Sequence, residues 1–176
     1  NGDGILNYTN GSVYKGNFVD GKPNGAGNFT DANGDTFSGN FKNGKINGNG
    51  KAAFKNGSRY EGNFIDSVMS GQGSFTDDKG NMYVGDFKNG KLNGKGKVTF
   101  ANGEIFEGDF VNDLLNGKGK HISKTGAVYE GMFKNHKYNG KGEYTQPNKI
   151  KYVGDFKDGK PHGNGALYRP DGTEAQ

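Results

Sequence analysis

A 23-residue period runs through this chain seven times without an insertion or deletion. Each unit opens on an aromatic residue: Tyr14, Phe37, Tyr60, Tyr83, Phe106, Tyr129 and Tyr152. Glycine follows two residues later and phenylalanine two after that, from Gly16 and Phe18 to Gly154 and Phe156. A Gly-x-Gly pair then takes the same slot in every unit, from Gly25 and Gly27 to Gly163 and Gly165. A period of roughly 20–50 residues marks a solenoid, propeller or array. In such a chain each repeat touches only its neighbours, which favours a long surface over a single catalytic pocket.

The 34 glycines would suggest a flexible linker were they not in fixed phase with 13 Phe and 9 Tyr. The packing surface is therefore almost wholly aromatic, in a chain whose hydrophobic fraction is only 30%. Net charge is +4, and the lysines are spread along the repeats rather than massed. That is no nucleic-acid footprint, so no nucleic-acid partner is expected. Without cysteine there is neither disulfide nor thiolate metal site. No apolar run approaches the ~18 residues of a membrane span. The chain starts at Asn1 in mid-repeat and reads as a fragment of a longer protein. Residues 1–13 form the second half of a truncated repeat. Seven units follow (14–36, 37–59, 60–82, 83–105, 106–128, 129–151 and 152–174), with 175–176 as a tail.

Each unit carries two stretches of period-two alternation, hence two strands. In the fourth, Met82–Lys88 sets Tyr83, Gly85 and Phe87 on one face, and a second strand spans Lys95–Phe100. Asn89–Gly94 reads as a turn-rich connection, and Ala101-Asn102-Gly103 as a three-residue hairpin loop with a left-handed glycine. Pairing Phe100 with Glu104 puts Val98 opposite Phe106, Gly96 opposite Gly108 and Gly94 opposite Phe110. A slip by one residue would set rings beside polar side chains, so the register is strongly specified. The glycines leave room for rings to lie over the neighbouring backbone. The predicted fold is all-β: an elongated, open, single-layer antiparallel sheet of tandem hairpins, about fifteen short strands in all. Such a sheet must curl until its rings meet, or bind something along them.

Tyr83-Val84-Gly85-Asp86-Phe87-Lys88-Asn89-Gly90-Lys91-Leu92-Asn93-Gly94-Lys95-Gly96 closely resembles the MORN repeat (membrane occupation and recognition nexus), and the likeness covers the whole chain. Phenylalanine stands where that family often has tryptophan. Ser67, Asp113 and His136 replace a connection glycine, and Lys149 a later turn glycine, so altered loops are expected there, with Pro147 reshaping its turn. The resemblance implies a non-catalytic scaffold or tether, cytoplasmic and placed at cytoskeletal or membrane junctions, whose concave groove holds a partner segment, often an amphipathic helix. It implies no cofactor.

Nothing in the residues argues for an enzyme. His121, His136 and His162 occupy different repeat positions without metal or triad spacing, and read as surface residues. The Asp31–Asp35 turn lacks the length and terminal glutamate of a calcium loop. A partner groove is expected along Phe41, Tyr60, Phe64, Tyr83, Phe87, Phe106, Phe110, Tyr129 and Phe133, with these rings only partly buried because no second layer covers them. Lys22, Lys45, Lys91, Lys137 and Lys160 recur at one edge, opposite Asp31, Asp35, Asp77, Asp78, Glu104 and Asp171. The alternative function is a peripheral module that docks this basic edge on anionic phospholipid. An unpaired terminal strand edge predicts weak end-to-end self-association.

Overall fold

The computed structural model describes residues 1–175; Gln176, the end of the expected tail, lies outside them. All regular structure among the described residues is strand, and fifteen strands follow one another in chain order in one antiparallel sheet. The described chain divides into two compact units, residues 1–91 and 92–175. The first holds β1 (Gly2–Asn7), β2 (Val13–Val19), β3 (Lys22–Thr30), β4 (Thr36–Lys42), β5 (Lys45–Ala53), β6 (Arg59–Ile65), β7 (Val68–Thr76) and β8 (Met82–Lys88). From β9 (Lys91–Thr99) the chain continues into β10 (Ile105–Val111), β11 (Leu114–Ile122), β12 (Val128–Lys134), β13 (Lys137–Thr145), β14 (Lys151–Lys157) and β15 (Lys160–Tyr168).

The register across Ala101–Gly103 is the expected one: Val98 opposes Phe106, Gly96 opposes Gly108 and Gly94 opposes Phe110. The Phe100 amide donates to the Glu104 carbonyl at 2.8 Å, and Gly103 is left-handed at φ +90°. The other connection differs from expectation. Asn89–Gly94 is not a loop; β8 runs to Lys88 and β9 starts at Lys91, four residues early. Asn89 (φ +52°) and Gly90 (φ +78°) alone make the turn, the two left-handed residues of a type I′ hairpin.

In place of the expected loop there is a bulge. Gly16 opposes Gly27 and Phe18 opposes Pro23, so one residue of β2, Asn17, faces three of β3. Gly25, at φ +102°, makes that excursion. The same shift recurs after Gly39, Gly62, Gly108, Gly131 and Gly154. It keeps both rings and glycines on one face despite the extra residues.

The exceptional loops are not altered. Ser67 (φ +71°), Asp113 (+68°) and His136 (+66°) hold the left-handed geometry of Gly44 (+82°). Each donates its amide to a carbonyl of the preceding hairpin at 2.9 Å, as Gly44 does to Pro23. In two of them the side chain repays the strain: Asp113 Oδ1 accepts the Leu92 amide at 2.8 Å, and His136 Nδ1 accepts the Leu115 amide at 2.6 Å. Lys149 (φ +68°) likewise keeps the ordinary turn, donating to Gln146 O at 2.9 Å. Pro147 fits without reshaping it, because proline suits the second position of a turn.

The core is a file of cross-strand glycine pairs, each covered by one large side chain from either of two places. Over Gly62 and Gly73 lies the Tyr60 ring, and a methyl on Gly73 would come within 2.6 Å of its carbons. Over Gly39 and Gly50 lies Ile46 instead. Tyr14, Tyr129 and Tyr152 follow the first pattern, Leu115 the second. Where Ile46 or Leu115 takes the space, the opening aromatic of that unit (Phe37 or Phe106) is displaced and only half-buried.

Candidate partner-binding surface

The expectation of partly exposed groove rings is corrected by this packing. Phe41, Tyr60, Phe64, Phe87, Phe110, Tyr129 and Phe133 are at most 5% exposed. They cover one another: Tyr60 packs edge-on to Phe64 at 5.0 Å and to Phe87 at 5.3 Å, and Tyr14 to Phe41 at 4.9 Å. Rings that cover one another in this way need no second layer. Of the nine, only Tyr83 and Phe106 are half-buried.

In residues 1–91 the accessible rings form a separate row, closer to the turns at 31–35, 54–58 and 77–81. Tyr8, Phe29, Phe37, Phe54, Phe75 and Tyr83 succeed one another with centroids 5.9–6.5 Å apart. Phe29 and Phe37 are direct cross-strand partners of β3 and β4, as are Phe75 and Tyr83 of β7 and β8. Between Phe54, Met69 and Phe75 lies an open hollow of about 630 Å³, bordered by Asp35, Lys55, Asn56 and Ser58. Five of these rings, Tyr8, Phe29, Phe37, Phe54 and Phe75, lie outside the nine expected from the sequence. The signal was present in the aromatics standing two residues before, or at, the start of each short turn.

The turn carboxylates also organise backbone. Asp31 Oδ1 accepts the amides of Asn33 and Asp35 at 2.8 and 2.9 Å, and Asp77 Oδ1 those of Lys79 and Asn81. Asp35 Oδ1 accepts the Lys55 amide at 2.8 Å, tying adjacent turns together.

In residues 92–175 the corresponding place holds histidines. His121 stacks on Phe106 at 4.1 Å and His136 on the same ring at 4.9 Å. Expected at the surface, His121 is buried and His136 half-buried. The Tyr138 hydroxyl meets His121 Nδ1 at 2.5 Å. Among the described residues His121 Nε2 has no hydrogen-bond partner, with Glu104 Oε1 3.8 Å off. Burial lowers the His121 pKa, partly opposed by the Glu104 charge; burial and the neighbouring His121 lower that of His136. Burial pushes the Tyr138 phenol up to about 12.

Lys22, Lys45, Lys91, Lys137 and Lys160 are all exposed, at the first position after the type I′ turns. Lys42 pairs with Lys45, Lys134 with Lys137 and Lys157 with Lys160. Ile65 and Val68 close their turn in the same way, 57% and 42% exposed.

The MORN repeat model matches residues 14–36, 37–59, 60–82, 83–105, 106–128, 129–150 and 152–174. Comparison with curated protein sequences gives no match. Among solved structures, the TCP domain of Drosophila melanogaster SAS-4, in complex with a proline-rich motif of Ana2, is similar with a TM-score of 0.57 at 11% identity. That match covers 98% of this chain and 87% of the domain. The TCP10c domain of the same organism's Sas-4 gives 0.51 at 13% identity, over 98% and 96% of the two chains. The G-box domain of the microcephaly protein CPAP gives 0.50 at 12%, over 99% and 97%. At such identities the likeness is one of fold. With seven matched units in one unbroken phase, the chain belongs to the MORN repeat family.

Proposed function

We propose that this chain is a non-catalytic scaffold that holds a segment of a partner protein against its half-exposed aromatic row, at a cytoskeletal site. The observation that carries the reading is the row from Tyr8 to Tyr83, whose rings are packed at one side and open at the other. Aromatic rings supply large contact area with little rotamer entropy to lose, which suits a binding surface. Of the nine groove residues expected from sequence, Tyr83 and Phe106 are half-buried and the other seven are buried. The SAS-4 TCP domain, similar in fold, is a peptide-binding precedent. The test is direct binding of a purified partner, found by proximity labelling, to the wild type and to Phe37→Ala, Phe54→Ala and Lys45→Glu. Loss with the folded ring variants supports the reading. Loss with Lys45→Glu alone overturns it.

A second reading, docking on anionic phospholipid, draws on Ile65 and Val68, exposed between the Lys42–Lys45 turn and Lys88. Each lysine near an anionic surface adds about 1 kcal/mol. Binding to vesicles containing phosphatidylserine that disappears at high salt would favour it.

A further inference from the structure

We infer that the ring row of residues 1–91 takes a proline-rich segment carrying lysine or arginine, held in extended polyproline II form. This rests on the protein-binding reading above and names the chemistry of the partner. Three observations select it. The first is width. Beneath the row, Tyr14, Phe41, Tyr60 and Phe64 are at most 5% exposed, so the open apolar strip is a single file of rings, widened only by Met69 at the Phe54–Phe75 hollow. An amphipathic helix is about 10 Å across and offers an apolar stripe of roughly 100°, too broad for one file to cover.

The second is backbone. Phe29, Phe37 and Phe75 lie in β3, β4 and β7, each with a strand on both sides. Among the described residues only β1, beside Tyr8, has a free ladder edge in this unit, so along Phe29, Phe37 and Phe75 a partner cannot add itself as a strand. Polyproline II needs no ladder, because its backbone stays solvated, and its preformed shape loses little entropy on docking in aromatic-lined grooves.

The third is charge. The turns beside the row carry Asp31, Asp35, Asp77 and Asp78 against Lys55 and Lys79, an acidic excess in an otherwise basic chain. Asp35 borders the Phe54–Phe75 hollow, and Asp78 is exposed. Basic residues between the prolines would meet these carboxylates.

The experiment selects random dodecapeptides displayed on phage against the wild-type 176-residue chain and against Phe54→Ser and Asp78→Lys. An enriched synthetic peptide is then titrated into the ¹⁵N-labelled wild type. Expected are sequences rich in proline with lysine or arginine, amide shifts concentrated around Phe29, Phe54 and Phe75, and affinity at least about tenfold weaker with Phe54→Ser. Asp78→Lys should fold normally and weaken binding at low salt by several-fold. Enrichment of amphipathic helical or acidic sequences that still shift these amides would overturn the inference while leaving the protein-binding reading intact. Shifts placed elsewhere, or no enrichment over a blank surface, would overturn both.

Discussion

The hydroxyl of Tyr60 donates to the backbone carbonyl of Asn63 at 2.9 Å, across the bulge that leaves Asn63 without a register partner on β7. The same bond joins Tyr14 to Asn17, Tyr129 to Met132 and Tyr152 to Asp155. One side chain thus covers a glycine pair and satisfies the carbonyl that the bulge frees. Burial pushes the Tyr60 phenol up to about 12, so it remains a donor throughout the useful pH range.

Tyr60→Phe keeps the ring and removes only this bond. Its expected cost is about 1–2 kcal/mol, measured by urea denaturation, because a part-buried acceptor is left unpaired. An unchanged midpoint would show that the carbonyl is satisfied without the phenol.

Gly73→Ala should cost more, about 2–3 kcal/mol, since its methyl would overlap the Tyr60 ring. Ile46→Ala opens the equivalent space from the other side and should cost about 2–4 kcal/mol. Thermal melts of the two variants, set beside Gly21→Ala in an open turn, separate overlap from backbone strain.

Among the left-handed substitutes, Ser67→Gly and Lys149→Gly should stabilise by about 1 kcal/mol, by relieving the cost of a side chain at positive φ. Asp113→Gly should not, because it abandons the Leu92 amide that Asp113 now accepts. Denaturant midpoints that rise for all three would remove any role for the aspartate.

Stability should fall in mild acid. His121 and His136 titrate lower in the fold than the unfolded value of 6.5, so the unfolded chain binds protons first. Their contribution is complete above about pH 6.5 and declines below it, levelling once the lowered folded values are passed. Tyr138, Glu104 and His136 surround His121, and of these Glu104 favours its charged form. Melting temperatures from about pH 7.5 to pH 5 should drop for the wild type and drop less for His121→Phe, in which His136 still titrates.

The strand count and the register from Phe100 to Glu104 were legible because aromatic and polar residues alternate with period two on both sides of a recognisable turn. The bulge was not. It inserts residues without breaking the alternation, and its glycine resembles every other glycine in the unit. Which ring is buried was equally hidden, since Tyr60 and Phe37 occupy the same repeat position. Their fates depend on whether Met69 or Ile46 stands across the hairpin, a pairwise choice that only the packing reveals. That choice also decides which rings remain accessible.

The chain-order meander has a kinetic consequence. Within each unit, register partners are near in sequence, from Lys42 with Lys45 to Val13 with Thr30. Relative contact order is therefore low for an all-β protein, and loop closure exacts little entropy before pairing is rewarded. Any hairpin can serve as the starting point and its neighbours zip on either side. Refolding should accordingly run faster than in sandwiches of comparable size, whose strands must find partners far along the chain.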